Sequence, residues 1–104
     1  MKSKNQDERL QRAERKLAIL EALRSDMMHC REIAEATGIK KATVRRYVIQ
    51  LRKEFCIDYF MANIQLKNNQ YRVNKVPVYF IEDDKAIDRY SAYIANLKAK
   101  LYDA

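Results

Sequence analysis

Leu10, Ala13, Leu17, Leu20 and Leu23 recur at spacings of three and four. That spacing puts them on one stripe of a helix predicted over about residues 8–24, with Arg9, Arg12, Arg15 and Lys16 off the stripe. Residues 25–28 read as a short connection. A second helix is predicted over about 31–37, with Ile33 and Ala34 turned inward, and Gly38 should close it because glycine adopts the left-handed conformation freely. A third helix is predicted from Lys41 to Phe55. Val44, Val48, Leu51 and Phe55 line its inner face and Tyr47 lies at the edge.

After Cys56 the period shortens. Residues 57–60 are apolar and β-prone, and Ile64, Leu66, Tyr71 and Val73 alternate with polar residues around Asn68 and Asn69. With Asn68 and Asn69 as a two-residue turn, Leu66 faces Tyr71, Gln65 faces Arg72 and Ile64 faces Val73. The apolar residues then share one face of a β-hairpin. Residues 76–81 form a further extended segment that Pro77 confines to an edge or a connection. The acidic run Glu82, Asp83 and Asp84 suits the start of a last helix, predicted over about 83–102. On it Ile87, Tyr90, Ile94, Leu97 and Leu101 form a heptad-like seam, predicted to be a homodimer interface, with the Leu10 to Leu23 stripe as a possible partner surface.

The predicted fold is therefore α+β and mainly helical: a three-helix core, a β-hairpin and an additional C-terminal helix. The expected division is a flexible basic tail over 1–7, one domain over 8–81 and a dimerising helix over 82–104. The chain has 104 residues, one glycine and one proline, so this pattern carries nearly all the boundary information.

Charge adds a function class. The formal net charge is +7, and residues 1–56 hold 14 Lys and Arg against 8 Asp and Glu, compared with 7 against 6 in the remainder. Residues 40–53 hold six cations and no acid. A polyanion should dock there. No apolar run approaches the length of a membrane span, and the first residues lack the apolar stretch of a signal peptide, so a cytoplasmic, nucleoid-associated protein is expected. Cys30 and Cys56 have no metal-ligand spacing and there is a single histidine, so they read as small semi-buried thiols and no metal or other cofactor is expected. No glycine-rich phosphate loop or nucleophile–base pair is evident, so an enzyme is not expected.

Two blocks carry a family resemblance: Glu32-Ile33-Ala34-Glu35-Ala36-Thr37-Gly38-Ile39, and Thr43-Val44-Arg45-Arg46-Tyr47-Val48 followed by Leu51-Arg52. In this order, with the hairpin after them, residues 19–73 resemble the winged helix-turn-helix DNA-binding domains of biotin-repressor and DeoR-type bacterial regulators. The resemblance implies that the second block is a recognition helix and that the hairpin is a wing. Two positions depart from the pattern: His29 and Lys40 stand where Ser or Thr is common. No ligase or sugar-sensing domain follows, so no small-molecule effector is expected.

On the recognition helix, the positions most opposed to the core direction are Ala42, Arg46, Ile49 and Lys53, flanked by Thr43, Arg45 and Gln50, with Lys41 in the first turn. Arg46 suits a guanine edge, Gln50 an adenine, and Thr43 or Ala42 a thymine methyl or a phosphate. Lys40, Lys41, Arg52 and Lys53 suit phosphates. Lys67, Asn68, Asn69, Gln70 and Arg72 are the wing candidates for the minor groove or a phosphate. The expected function is sequence-specific binding of double-stranded DNA by a small homodimeric regulator, a repressor of bacterial or phage type. The alternatives are a winged-helix module for protein contacts and an accessory factor in replication, partition or recombination.

Overall fold

The computed structural model describes the backbone of residues 4–65 and 73–102, and the side chains of 7–64 and 75–101. Its elements run in the order α1 (Lys4–Ser25), β1 (Met28–His29), α2 (Cys30–Thr37), α3 (Lys41–Lys53), β2 (Ile57–Gln65), β3 (Val73–Ile81) and α4 (Lys85–Tyr102). The three strands form one antiparallel sheet in the order β1-β3-β2. This is a mainly helical α+β winged helix with an added C-terminal helix.

The core gathers Ile19, Leu20 and Leu23 of α1, Ile33 of α2, Val44, Tyr47, Val48 and Leu51 of α3, and Ile57 and Tyr79 of the sheet. Burial of each large apolar side chain contributes about 1.5–3 kcal/mol before the entropy of ordering is subtracted. That matters most for α3, because its N-cap residue Lys40 makes no side-chain capping bond. Packing of its buried face, rather than capping, holds this helix in place.

Gly38 ends α2 at φ 75°, and its N–H donates to the Ala34 carbonyl at 2.9 Å, as the pattern predicted. The Thr37 hydroxyl donates to the Ile33 carbonyl at 2.7 Å and accepts from the Ile39 N–H at 3.3 Å. These bonds shape the tight turn between α2 and α3.

Several expectations need correction. The first helix begins at Lys4, inside the stretch expected to be a tail. Met28, expected to end the connection, instead opens a two-residue strand: Met28 pairs with Tyr79 and His29 with Val78. The third helix stops at Lys53, and Phe55, expected on its inner face, is 77% exposed at φ 61°. The Phe55 N–H donates to the Arg52 carbonyl and the Cys56 N–H to the Leu51 carbonyl, each at 3.0 Å. This left-handed helix end turns the chain so that Cys56 takes the core position instead. Tyr47, expected at the edge, is buried.

The hairpin is also one residue out of step with its predicted register. Ile64 pairs with Asn74 and Gln65 with Val73. The cause lies at the other end of the strands, where Ile57 pairs with Ile81 and Tyr59 with Tyr79. These four residues face the helical core, so the core fixes the register and the polarity pattern near the turn does not. The proposed Asn68-Asn69 turn lies outside the described residues. Pro77, expected at an edge or in a connection, sits in the central strand opposite Met61. It is tolerated because β1 pairs only with Val78 and Tyr79, so β3 is an edge on that side over residues 73–77.

The seam on α4 is packed within its own chain. Ala86 and Ile87 join the core, and Ile94, Leu97 and Leu101 are buried while Tyr90 is half-buried. The surface they meet is α1, which α4 packs along more extensively than any other helix pair does. The residues expected to meet a symmetry mate therefore already have an apolar partner, and α4 does not stand apart from the unit that precedes it. No described helix is long and apolar enough to cross a membrane.

Candidate nucleic-acid interface

The amphipathic period of α3 decides which side chains reach solvent. With Val44, Tyr47, Val48 and Leu51 buried, Lys41, Ala42, Arg45, Arg46, Ile49 and Lys53 are all exposed, and Thr43 and Gln50 are half-exposed beside them. Lys40 is exposed at the N-cap. The candidates expected on α3 thus share one surface. Two ridges run along it at spacings of four: Lys41, Arg45 and Ile49 on one side, and Arg46, Gln50 and Glu54 on the other.

Arg52 does not belong to this surface. Its guanidinium lies 4.1 Å from the centroid of the Tyr59 ring, and its Nε is 4.0 Å from the Asp58 carboxylate. Its described contacts are thus with the sheet, although the side chain remains exposed. Lys67, Asn68, Asn69, Gln70 and Arg72 lie outside the described residues.

The wing side of α3 holds a cleft of about 370 Å³ between α3, the first turn of α2 and the sheet. Lys41, Arg45 and Ile49 line it from α3, Ile64, Val76 and Pro77 from the sheet, and Arg31 from α2. Arg31 was not expected here. It is placed by β1, whose pairing with β3 swings the start of α2 beside the sheet, and nothing in the local pattern of residues 28–31 announces that pairing. At the floor, burial pushes the Cys30 thiol above its usual range. Burial, together with the neighbouring thiol, pushes the Tyr79 phenol up to about 12. Both groups are neutral near pH 7, so the positive charge of the cleft comes from Arg31, Lys41 and Arg45.

The start of α2 is held by Glu32, which accepts from the His29 N–H at 3.2 Å and lies 3.2 Å from His29 Nε2. The far end of α3 is anchored by Glu54. Its carboxylate accepts from the Lys16 ammonium of α1 at 3.0 Å and from the Tyr90 phenol of α4. The C-terminal end of the α3 surface is thereby tied to both α1 and α4.

Residues 12–54 match the model of the family described as the IclR helix-turn-helix domain. That span runs from the middle of α1 to the C-cap of α3. The chain carries a helix-turn-helix DNA-binding domain. The two blocks that suggested biotin-repressor and DeoR-type regulators lie within the matched span, but the matching family is the IclR-type one, and what the resemblances share is the helix-turn-helix itself. Neither a curated protein nor a solved structure matches the chain. Among the described residues no cluster has the make-up of a metal site, and both cysteines are free and buried.

Proposed function

We propose that this protein is a small transcriptional regulator that binds double-stranded DNA sequence-specifically and acts as a repressor by occupancy. The outer face of α3 enters the major groove. The observation that supports this best is the joint exposure of Lys41, Arg45, Arg46 and Lys53 on a helix whose opposite face is buried, with no acidic residue from Lys40 to Lys53. A helix of this width fits the groove, and long donors on its outer face reach base edges.

In this reading Arg46 contacts guanine and Gln50 adenine, while Ala42 and Thr43 meet thymine methyl groups. Lys40, Lys41 and Lys53 contact phosphates, and the wing residues Lys67, Asn68, Asn69 and Arg72 grip the backbone or the minor groove. A winged helix used only for protein contacts has no need of a continuous cationic stripe on this helix, which disfavours that alternative.

Selection of bound fragments from random duplex DNA is the direct test. Enrichment of a defined site is the expected result, and its symmetry reads out the stoichiometry: two inverted half-sites assign a dimer, one short asymmetric site a monomer. Recovery of sequences no different from the input, even at low salt, overturns the proposal.

A further inference from the structure

On the flank of α3 opposite the wing lies a second cleft, of about 650 Å³, bounded by α1, the end of α3 and α4. We infer that this cleft seats the phosphodiester strand bordering the groove that α3 enters, with Arg9 and Arg12 as its principal contacts. The inference rests on the DNA-binding reading above and adds a footprint to it.

Three features support it. The first is continuity. Gln50 lines the cleft and belongs to the ridge Arg46–Gln50–Glu54, so the cleft opens directly from the face assigned to base reading. A helix lying in a major groove about 12 Å wide has a phosphate strand on each side. The wing cleft, with Arg31, Lys41 and Arg45, serves one side, and the α1–α4 cleft serves the other.

The second is the distribution of free charge. Lys16 is committed to Glu54 at 3.0 Å, and Arg89 to Asp83 at 2.7 Å. Arg9 and Arg12 line the same cleft, are exposed, and make no ion pair among the described residues. They stand three apart on α1, adjacent on its surface. Guanidinium forks match phosphate oxygens. Tyr93, on the cleft wall from α4, is 44% exposed and presents a further donor.

The third is the character of the walls. A small-molecule site is mostly apolar and encloses its ligand. Here the walls are four cationic side chains, Gln50, Ala13 and two tyrosines, open to solvent, and the one carboxylate among them, Glu54, is taken up by Lys16 and Tyr90. An extended polyanion fits these walls and a compact apolar effector does not.

The test compares three full-length proteins on a duplex that the wild type binds: wild type, the double variant Arg9→Ala/Arg12→Ala, and the control Lys98→Ala/Lys100→Ala. The control also removes two exposed cations, from positions that do not line the cleft. Circular dichroism melts verify that all three fold. For the Arg9/Arg12 variant, affinity should fall at least about tenfold. The slope of log affinity against log salt should become shallower by about 2, the value for two lost phosphate contacts. The control should retain the wild-type slope. Equal losses in both variants would reduce the cleft to diffuse charge and overturn the inference, as would an Arg9/Arg12 variant that behaves as wild type. Failure of the wild type to bind any duplex is a separate outcome, and it overturns the DNA-binding reading itself.

Discussion

The Lys16 ammonium of α1 lies 3.0 Å from the Glu54 carboxylate at the C-cap of α3. The same carboxylate accepts the phenol of Tyr90 from α4, whose titration burial and this hydrogen bond push far upward. One acidic side chain thus ties the end of the reading helix to both helices behind it. Its ion pair is partly open to water and contributes little by itself, whereas the half-buried phenol loses its acceptor when Glu54 is truncated. In a double-mutant cycle of Glu54→Ala and Tyr90→Phe, urea unfolding should give a coupling of about 0.5–1.5 kcal/mol. Additive losses would show that the contact does not hold α3.

Lys40 occupies an N-cap position with no side-chain capping bond. Serine there would accept a bond from a free N–H of the first turn and stabilise the fold by about 0.5–2 kcal/mol. It would also remove one phosphate contact, so the salt slope should become shallower by about 0.9. Lys40→Ser is therefore expected to raise the melting temperature and weaken DNA binding together. A variant that gains stability and keeps full affinity would remove Lys40 from the interface.

Arg46 is exposed at the middle of the outer face of α3. Arg46→Ala should weaken binding to the selected site by about 1–3 kcal/mol and relax preference at one base position. Arg46→Lys should not restore that preference, because the ammonium lacks the planar fork. Competition binding against single-base variants of the site measures both effects. An unchanged profile would reassign Arg46 to the backbone or to solvent.

The helices of this fold were legible because each has one buried face, and spacings of three and four report that directly. The exposed set on α3 followed from the same period. What escaped prediction depends on pairing across the chain. The strand at Met28–His29 exists only because β3 lies beside it, and Arg31 reaches the wing cleft only through that strand. The hairpin register is fixed at Ile57–Ile81 and Tyr59–Tyr79, far from the turn whose polarity suggested another alignment. Phe55 has the period of a core residue, but a left-handed helix end turns it out. The seam on α4 is legible as apolar, but periodicity reveals that a face is buried and not what covers it, so the α1 stripe and a second copy both fit the pattern and only the fold places α1 against it.

Two residues in the left-handed region make opposite predictions. Gly38, at φ 75°, has nothing within 4 Å of an added Cβ, so Gly38→Ala meets only the backbone penalty and should cost about 1–2 kcal/mol. Phe55, at φ 61° and largely exposed, already bears that penalty. Phe55→Gly relieves it and, against glycine's greater entropy loss, should leave stability unchanged or raise it by up to about 1 kcal/mol. Thermal unfolding of both variants decides the matter. A clear loss for Phe55→Gly would mean that the exposed ring contributes packing in solution.

Ile94 is 7% exposed and sits in the middle of the seam that α4 presents to α1. If that burial is internal to one chain, Ile94→Ala removes buried methyl groups from a monomer and should cost about 2–5 kcal/mol. The decrement in melting temperature would then be the same at every protein concentration. A seam shared between two copies behaves otherwise, because dimer stability follows mass action and the melting temperature itself rises with concentration. Melts of wild type and Ile94→Ala across a wide concentration range separate the two cases. Concentration-independent midpoints are expected, since α1 and α4 already satisfy each other's apolar faces. A midpoint that climbs with concentration in the wild type and ceases to do so in Ile94→Ala would return the seam to a dimer interface.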